Sequence, residues 1–248
     1  MAGLWEGWVR LRGIPPYLLP APSAVAARLL SEGPNLLAEG VYTLLEALLG
    51  FGLGSALAVG AAVAMAQWRL LERSLYPLAI LIKVTPVVTV APLFVIWFGF
   101  GLLPKVLIAA LITFFPVLVN AIMGFRAVDP SALEFLRSVG ASKWEIFVKL
   151  RFPSSLPYLF AAFRVSVVLG LIGAVVAEWL GAEQGLGRAV LLANQNLDMA
   201  GLFAGVLLLA LGGVGLTGLI RLWERQVLFW QETWLTTEEL TERGAADG

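Results

Sequence analysis

Lys83, Glu46, Arg164 and Glu178 are the ionisable residues set in or against long apolar runs, and the stretch from Arg126 to Ser155 is the one long polar segment between such runs. What chemistry these groups can do is narrowed by what is missing. The chain has no His and no Cys, so it offers no imidazole or thiolate for metal ligation, haem attachment or acid–base work near neutral pH, and no disulfide. A serine–histidine protease and a zinc metalloprotease are excluded. Glu46 and Glu178 each stand alone in their own run, so no carboxylate dyad forms within a run. No Gly-x-x-x-x-Gly-Lys phosphate loop occurs, so the chain does not by itself bind ATP in the usual manner. Recognition and movement remain as its chemistry.

The polar stretch carries local structure in its grammar. Ser131 precedes Glu134 by three residues and Ser142 precedes Glu145 by three, and each pair reads as a capping box at a helix start. Asp129 followed by Pro130 is a competing start for the first of these helices, because Pro suits the first helical position. Gly140 supplies the left-handed residue on which helices end, and Pro153 bars the second helix from running smoothly into the next segment. The expectation is two short helices joined at a glycine elbow.

The elements around this elbow are membrane elements. Hydrophobic residues make up 59% of the 248 and charged residues 14%, with a mean hydropathy of +0.87, which is a membrane composition. Ala47 to Ala66, Val84 to Pro104, Val106 to Phe125 and Met199 to Ile220 hold no charge but Lys105 between them. At about 1.5 Å per residue each is long enough for a hydrocarbon core of roughly 30 Å. A fifth run, Leu156 to Gly181, carries Arg164 and Glu178. The fold class expected is therefore all-α, a polytopic bundle of five transmembrane helices.

Cations orient it. The side holding Arg126, Arg137, Lys143, Lys149 and Arg151 also receives Arg69, Arg73, Arg221, Arg225 and Arg243, whereas Lys105, Arg188, Arg10, Arg12 and Arg28 fall opposite. By the positive-inside rule the elbow is cytoplasmic. The formal net charge is zero, and nothing resembles a nucleic-acid footprint. Residues 1–40 read as an extracytoplasmic or interfacial segment, 41–225 as the transmembrane domain with cytoplasmic helices at 130–152, and 226–248 as a cytoplasmic tail. The stretch from Leu4 to Leu19 is too short and too polar to span, and three arginines on the outer side lead to the expectation of a further helix upstream.

Glu134-Phe135-Leu136, Gly140-Ala141-Ser142 and Leu150-Arg151-Phe152-Pro153 resemble the cytoplasmic signature of importer permeases of the ATP-binding cassette (ABC) class. That signature reads Glu-Ala-Ala, three residues, Gly, nine residues, Ile-x-Leu-Pro. Phe135 and Leu136 replace its alanines, and Leu150 and Phe152 replace Ile and Leu. Leu19-Pro20-Ala21-Pro22-Ser23, Pro92 to Gly99, and Glu178 followed by Gly185-Leu186-Gly187 resemble the nitrate, sulfonate, taurine and pyrimidine-precursor branch. The wording of Ala91 to Lys105 and Phe114 to Asn120 is most similar to permeases for hydroxymethylpyrimidine or riboflavin-like compounds. Relatives of this kind carry a first helix before the Leu-Pro-x-Pro segment, here absent or cut to Leu4 to Val9.

The resemblance implies a type I importer permease in the cell membrane. Two copies would share a pore, an extracytoplasmic solute-binding protein would deliver the solute, and a cytoplasmic ATPase would hold ATP and Mg and dock on the elbow. The coupling residues implied are Glu134, Leu136, Gly140, Ala141, Ser142, Lys143 and Pro153. The apolar faces suited to docking and packing are Leu133, Leu136 and Val139 on one helix and Trp144, Phe147 and Val148 on the other. Lys83 and Pro86 are candidates for the solute pathway, with a structural pair or a backbone-carbonyl contact as the equal alternative for Lys83. Glu178, at a depth roughly 20 Å from Lys83 by helical rise, is assigned with Gly185 and Gly187 to holding the outer loop. Arg164 is assigned to structure. A self-contained secondary transporter or channel is the competing class, and it needs internal repeats and midplane carboxylates that the sequence does not show. A membrane scaffold with no solute path is the third class, and it leaves Lys83 and the paired capping boxes unexplained.

Overall fold

A computed structural model describes residues 2–68, 70, 71, 73, 74, 77 and 85–229. Among these the elements are helices: α1 (Ala2–Leu11), α2 (Pro22–Gln67), α3 (Val87–Phe98), α4 (Leu102–Arg126), α5 (Pro130–Ser138), α6 (Lys143–Glu178), α7 (Leu186–Gln195) and α8 (Met199–Val227). Four of them, α2, α4, α6 and α8, are long and apolar enough to cross a membrane. The expected span from Val84 to Pro104 is represented by α3, whose 12 residues rise only about 18 Å. It ends at Gly99, which has φ +75°. Lys83, Arg69 and residues 230–248 lie outside the described residues.

Lipid tails are as apolar as leucine, so helices gain nothing by hiding apolar surface from them and associate through close packing instead. Small residues provide it here. Gly50, Gly54, Ala58 and Ala62 recur every four residues along α2, all buried, and the first two lie against Ala109, Ala110 and Thr113 of α4. A Cβ at Gly50 would come within 2.9 Å of the Val106 carbonyl, and one at Gly54 within 3.0 Å of the Ala110 Cα. Helix α6 closes the triangle with Gly173, whose added Cβ would lie 2.9 Å from the Ala109 Cα, and Gly170, 3.2 Å from the Ala47 carbonyl. Gly52 and Gly60 meet nothing within 4 Å. The core over the elbow is filled by Val117, Leu118, Phe125, Phe147 and Leu159.

Helix α2 has 46 residues and carries Pro34 inside it. It runs unbroken through residue 40, so the outer leading segment and the first span are one rod of about 69 Å. Helix α1 lies beside it as an amphipathic piece. Glu6 accepts from the Ser23 N–H at 3.0 Å and from the Ser23 hydroxyl at 2.8 Å, and Trp5 packs on Phe203 of α8. Farther along, Arg28 pairs with Asp198 at 2.6 Å, and Asp198 itself caps α8 by accepting from the Gly201 N–H. Arg164 pairs with Glu224, tying α6 to α8.

Two local expectations are corrected. The cap of α5 is Asp129, which accepts from the Ser131 N–H at 2.9 Å, so the competing Asp129-Pro130 start holds and Ser131 is already helical. The second elbow helix is not a separate short helix. Residues Lys143 to Ile146 pass through a π-helical segment, Phe147–Arg151, straight into Phe152–Glu178. In a regular helix the Pro153 ring would strike the carbonyl four residues back. The wider π turn, in which the Phe152 N–H bonds the Phe147 carbonyl, takes the proline without a break.

Gly54→Leu forces α2 away from α4 and is expected to cost about 1–3 kcal/mol, the usual range for overpacking. Gly52→Leu on the open face is expected to leave stability nearly unchanged. Thermal unfolding of both variants in the same detergent is the measurement, and equal melting temperatures would contradict the seam.

Candidate functional site

The elbow begins at α4's last turn and is hydrogen-bonded at each junction. Helix α5 ends in a Schellman motif: the Ala141 N–H bonds the Leu136 carbonyl and the Gly140 N–H bonds the Arg137 carbonyl, both at 3.0 Å. Gly140 takes φ +76°, a conformation that costs an L side chain roughly 1–2 kcal/mol. An added Cβ there would meet nothing within 4 Å, so Gly140 is required by backbone conformation and not by space. Ser142 then caps α6 with a full capping box. Its hydroxyl accepts from the Glu145 N–H at 3.2 Å, and the Glu145 carboxylate accepts from the Ser142 N–H at 2.9 Å. The Ser142 backbone and hydroxyl donors, aided by Lys149, hold the Glu145 carboxyl below the usual glutamate value.

The elbow exposes large apolar side chains among its charged ones. Phe135, Val139 and Trp144 are each more than 60% exposed, and Val148 is 46% exposed. Leu133, Leu136 and Ala141 are half-buried, and Glu134 and Lys143 are exposed. The underside is fixed by Phe147, buried between Phe125 at 5.3 Å and Trp144 at 5.7 Å between ring centroids. Of the apolar faces expected to dock and to pack, Phe147 packs in the core and Phe135 joins the exposed set.

At the other end of α6 the fold gathers what the sequence scatters. Helix α7 begins at Gly185, which has φ +128° and no side chain to cap with. Glu178 caps it from α6: its carboxylate accepts from the Gly187 N–H at 2.6 Å and the Arg188 N–H at 3.2 Å. A carboxylate at a helix N-terminus is favoured by the unpaired N–H groups and the dipole together. Thr43 of α2 donates to the other Glu178 oxygen at 2.7 Å and accepts from the Leu186 N–H at 2.7 Å. Glu39 accepts from the Gly185 N–H. An added Cβ at Gly187 would meet Val175 Cα at 3.0 Å.

Glu46 and Glu178 do not stand alone. Lys105, at the start of α4, binds the Glu46 carboxylate at 2.5 Å and reaches the Gln184 carbonyl at 3.4 Å, and Glu46 neighbours Glu178. Sequence reading placed Lys105 in an outer loop and missed Glu39, Thr43 and Lys105 as members of this cluster. The available signal was the spacing 39, 43, 46, which puts three polar residues on one face of α2. Pro86 caps α3, with the Thr89 hydroxyl donating to its carbonyl at 2.7 Å. It does not meet either polar centre.

Residues 52–228 match the family of binding-protein-dependent transport system inner membrane components. The chain belongs to this family. It is a multi-pass cell-membrane protein and the permease component of an ABC importer. A formylaminopyrimidine transport permease protein of Halalkalibacterium halodurans is 33% identical over 231 residues, 92% of each chain. A riboflavin transport system permease protein of Chloroflexus aurantiacus is 37% identical, over 92% of this chain and 85% of its own. The structure of an inward-facing methionine ABC transporter matches with a TM-score of 0.69 at 17% identity, over 77% of this chain and 96% of that one. It shows that the importer-permease fold is shared.

Two expectations follow for this ABC permease. Glu178→Ala leaves the Gly187 and Arg188 N–H groups without their acceptor, while the Thr43 hydroxyl keeps the Glu39 carbonyl at 3.3 Å. Each buried group so orphaned costs about 1–3 kcal/mol, and hydrogen exchange at residues 186–188 should quicken by at least tenfold. Unchanged exchange would remove Glu178 as the cap. At the elbow the Glu145 carboxyl titrates lower when folded than when unfolded. Its contribution is therefore complete above the ordinary glutamate range and is lost as pH falls through the depressed folded value. Helicity at Ser142–Ile146, followed by carbonyl chemical shifts, should fray on acidification in the native chain and be flat with pH in Glu145→Gln.

Proposed function

We propose that the chain forms the solute pathway of the importer and is driven through the 130–152 segment by a separate cytoplasmic ATPase, which holds ATP and Mg. The observation that carries this reading is the elbow itself. It is a capped, backbone-bonded projection with Phe135, Val139, Trp144 and Val148 exposed, and its buried anchor, Phe147, belongs to a spanning helix. A surface of this kind suits a groove on a protein partner and passes any displacement directly to α6. Glu134, Leu136, Gly140, Ala141, Ser142 and Lys143 form or flank it, and Pro153 sets the π turn that joins it to the span.

An apolar groove of about 770 Å³ between α6 and α8, lined by Ile172, Val175, Leu209, Gly213 and Val214, supports a second permease copy as its cover. An extracytoplasmic solute-binding protein delivers the solute, and most selectivity lies with that protein. The solute is a small organic molecule such as a pyrimidine-type vitamin precursor, with a sulfonate- or nitrate-type anion as the alternative class. The name of the formylaminopyrimidine relative supports the first. Lys83 and Pro86 are proposed for the pathway.

Co-purification with the ATPase of the same host, in lipid, tests the coupling. Native chain is expected to retain the ATPase, and Gly140→Trp is expected to reduce retention by tenfold or more while the bundle's melting temperature stays within a few degrees. Glu134→Ala should lower solute-stimulated hydrolysis. Native behaviour in both variants would sink the docking assignment, and absence of association in the native chain would favour a self-contained transporter.

A further inference from the structure

A basic cavity lies beside the elbow. Between the last turns of α2 and α4 and the π segment of α6 there is a cavity of about 400 Å³. Met65, Ile122 and Phe125 give it an apolar wall, and Arg126 and Arg151 line it with guanidinium groups. Arg126 has interactions of its own in the fold. Arg151 differs: its Nε is buried without a hydrogen-bond partner, and no carboxylate among the described residues pairs with it. The wide turn imposed by Pro153 is what ends at Arg151, and π segments of this kind recur at functional sites.

Arg151 brings to the cavity a positive charge that no described carboxylate meets and a buried N–H that requires an acceptor. Guanidinium forks match tetrahedral oxyanions bidentately and suit phosphate better than a halide or a single carbonyl. The cavity is on the cytoplasmic side of the membrane, where basic pockets between spanning helices are suited to anionic head groups. Its volume fits a head group and not acyl chains, and the apolar wall fits glycerol carbons. We infer that this cavity binds a phosphate oxyanion, that of an anionic phospholipid of the inner leaflet, with Arg151 as the direct donor. The site is distinct from the exposed apolar face of Phe135, Val139, Trp144 and Val148.

Thermal unfolding of the purified full chain in detergent tests it, with dioleoyl phosphatidylglycerol, dioleoyl phosphatidylcholine or inorganic phosphate added, in the native chain, Arg151→Gln, Arg151→Lys and Arg221→Gln. Phosphatidylglycerol is expected to raise the native melting temperature by several degrees more than phosphatidylcholine. Arg151→Gln should lose at least half of that difference, Arg151→Lys should keep part of it, and Arg221→Gln, on α8 away from the cavity, should keep all of it. The difference between lipids is read within each variant, so a change in a variant's basal stability does not mask it. Inorganic phosphate reproducing the full shift, with the same dependence on Arg151, would keep the oxyanion site and overturn the lipid as its source. Equal responses to the two lipids, or an undiminished difference in Arg151→Gln, would overturn the site.

Discussion

Direct backbone approach between α2 and α4 at Gly50 and Gly54 is the constraint on which the other features rest. In lipid there is no solvent to expel from between helices, so their association depends on contact area and on polar groups satisfied internally. A four-residue repeat of small side chains provides the area. Once α2 and α4 are in contact, Glu46 on one and Lys105 on the other come within bonding distance, and the buried charges are paired at the outer end of the seam. Thr43, one turn above Glu46, then stands where it can hold both Glu178 and α7. The outer polar cluster is thus a consequence of a seam that carries no charge itself.

The two ends of α6 solve the same problem differently. Each has a helix start whose N–H groups need acceptors. At the elbow end the acceptors come from the same few residues, Ser142 and Glu145, and the structure is local. At the outer end Gly185 has nothing to offer, and the acceptors come from Glu178, Thr43 and Glu39, up to 146 positions away. Local capping makes a projection stable even though its side chains are exposed. Remote capping fixes a short helix only while two other elements, α2 and α6, are in place.

That difference explains what was legible in the sequence. The elbow could be read down to Gly140 and the Ser142 box because its partners are three to five residues apart. Where two local rules competed, at Asp129 and Ser131, proline geometry decided. Pro153 was read as a stop because a regular helix was assumed, and the π turn is a solution that spacing alone does not announce. The cluster of Glu39, Thr43, Glu46 and Lys105 was not legible because its members meet only after the helices pack. Lys105 in particular sits at a helix start between two apolar runs, where position suggests an outer loop and packing makes it a buried counter-ion. The long runs marked four of the spanning helices, but the leading end of α2 was hidden by Glu32, Pro34 and Glu39, which break the hydropathy without breaking the helix.

Helix α6 spans Lys143 to Glu178 in one piece, 36 residues or about 54 Å. Its first turn is tied to the elbow by Phe147, and its last residue caps the outer helix. Helix α6 is therefore a strut that joins the elbow to the cap of α7. Neither end can rotate about the strut axis without dragging the other. The geometry of the π turn sets the angular phase between the exposed Trp144 and the Glu178 carboxylate. Adding or deleting one residue in Phe147–Arg151 would turn the outer anchor away from α7 by about 100°, although every residue near that anchor was unchanged.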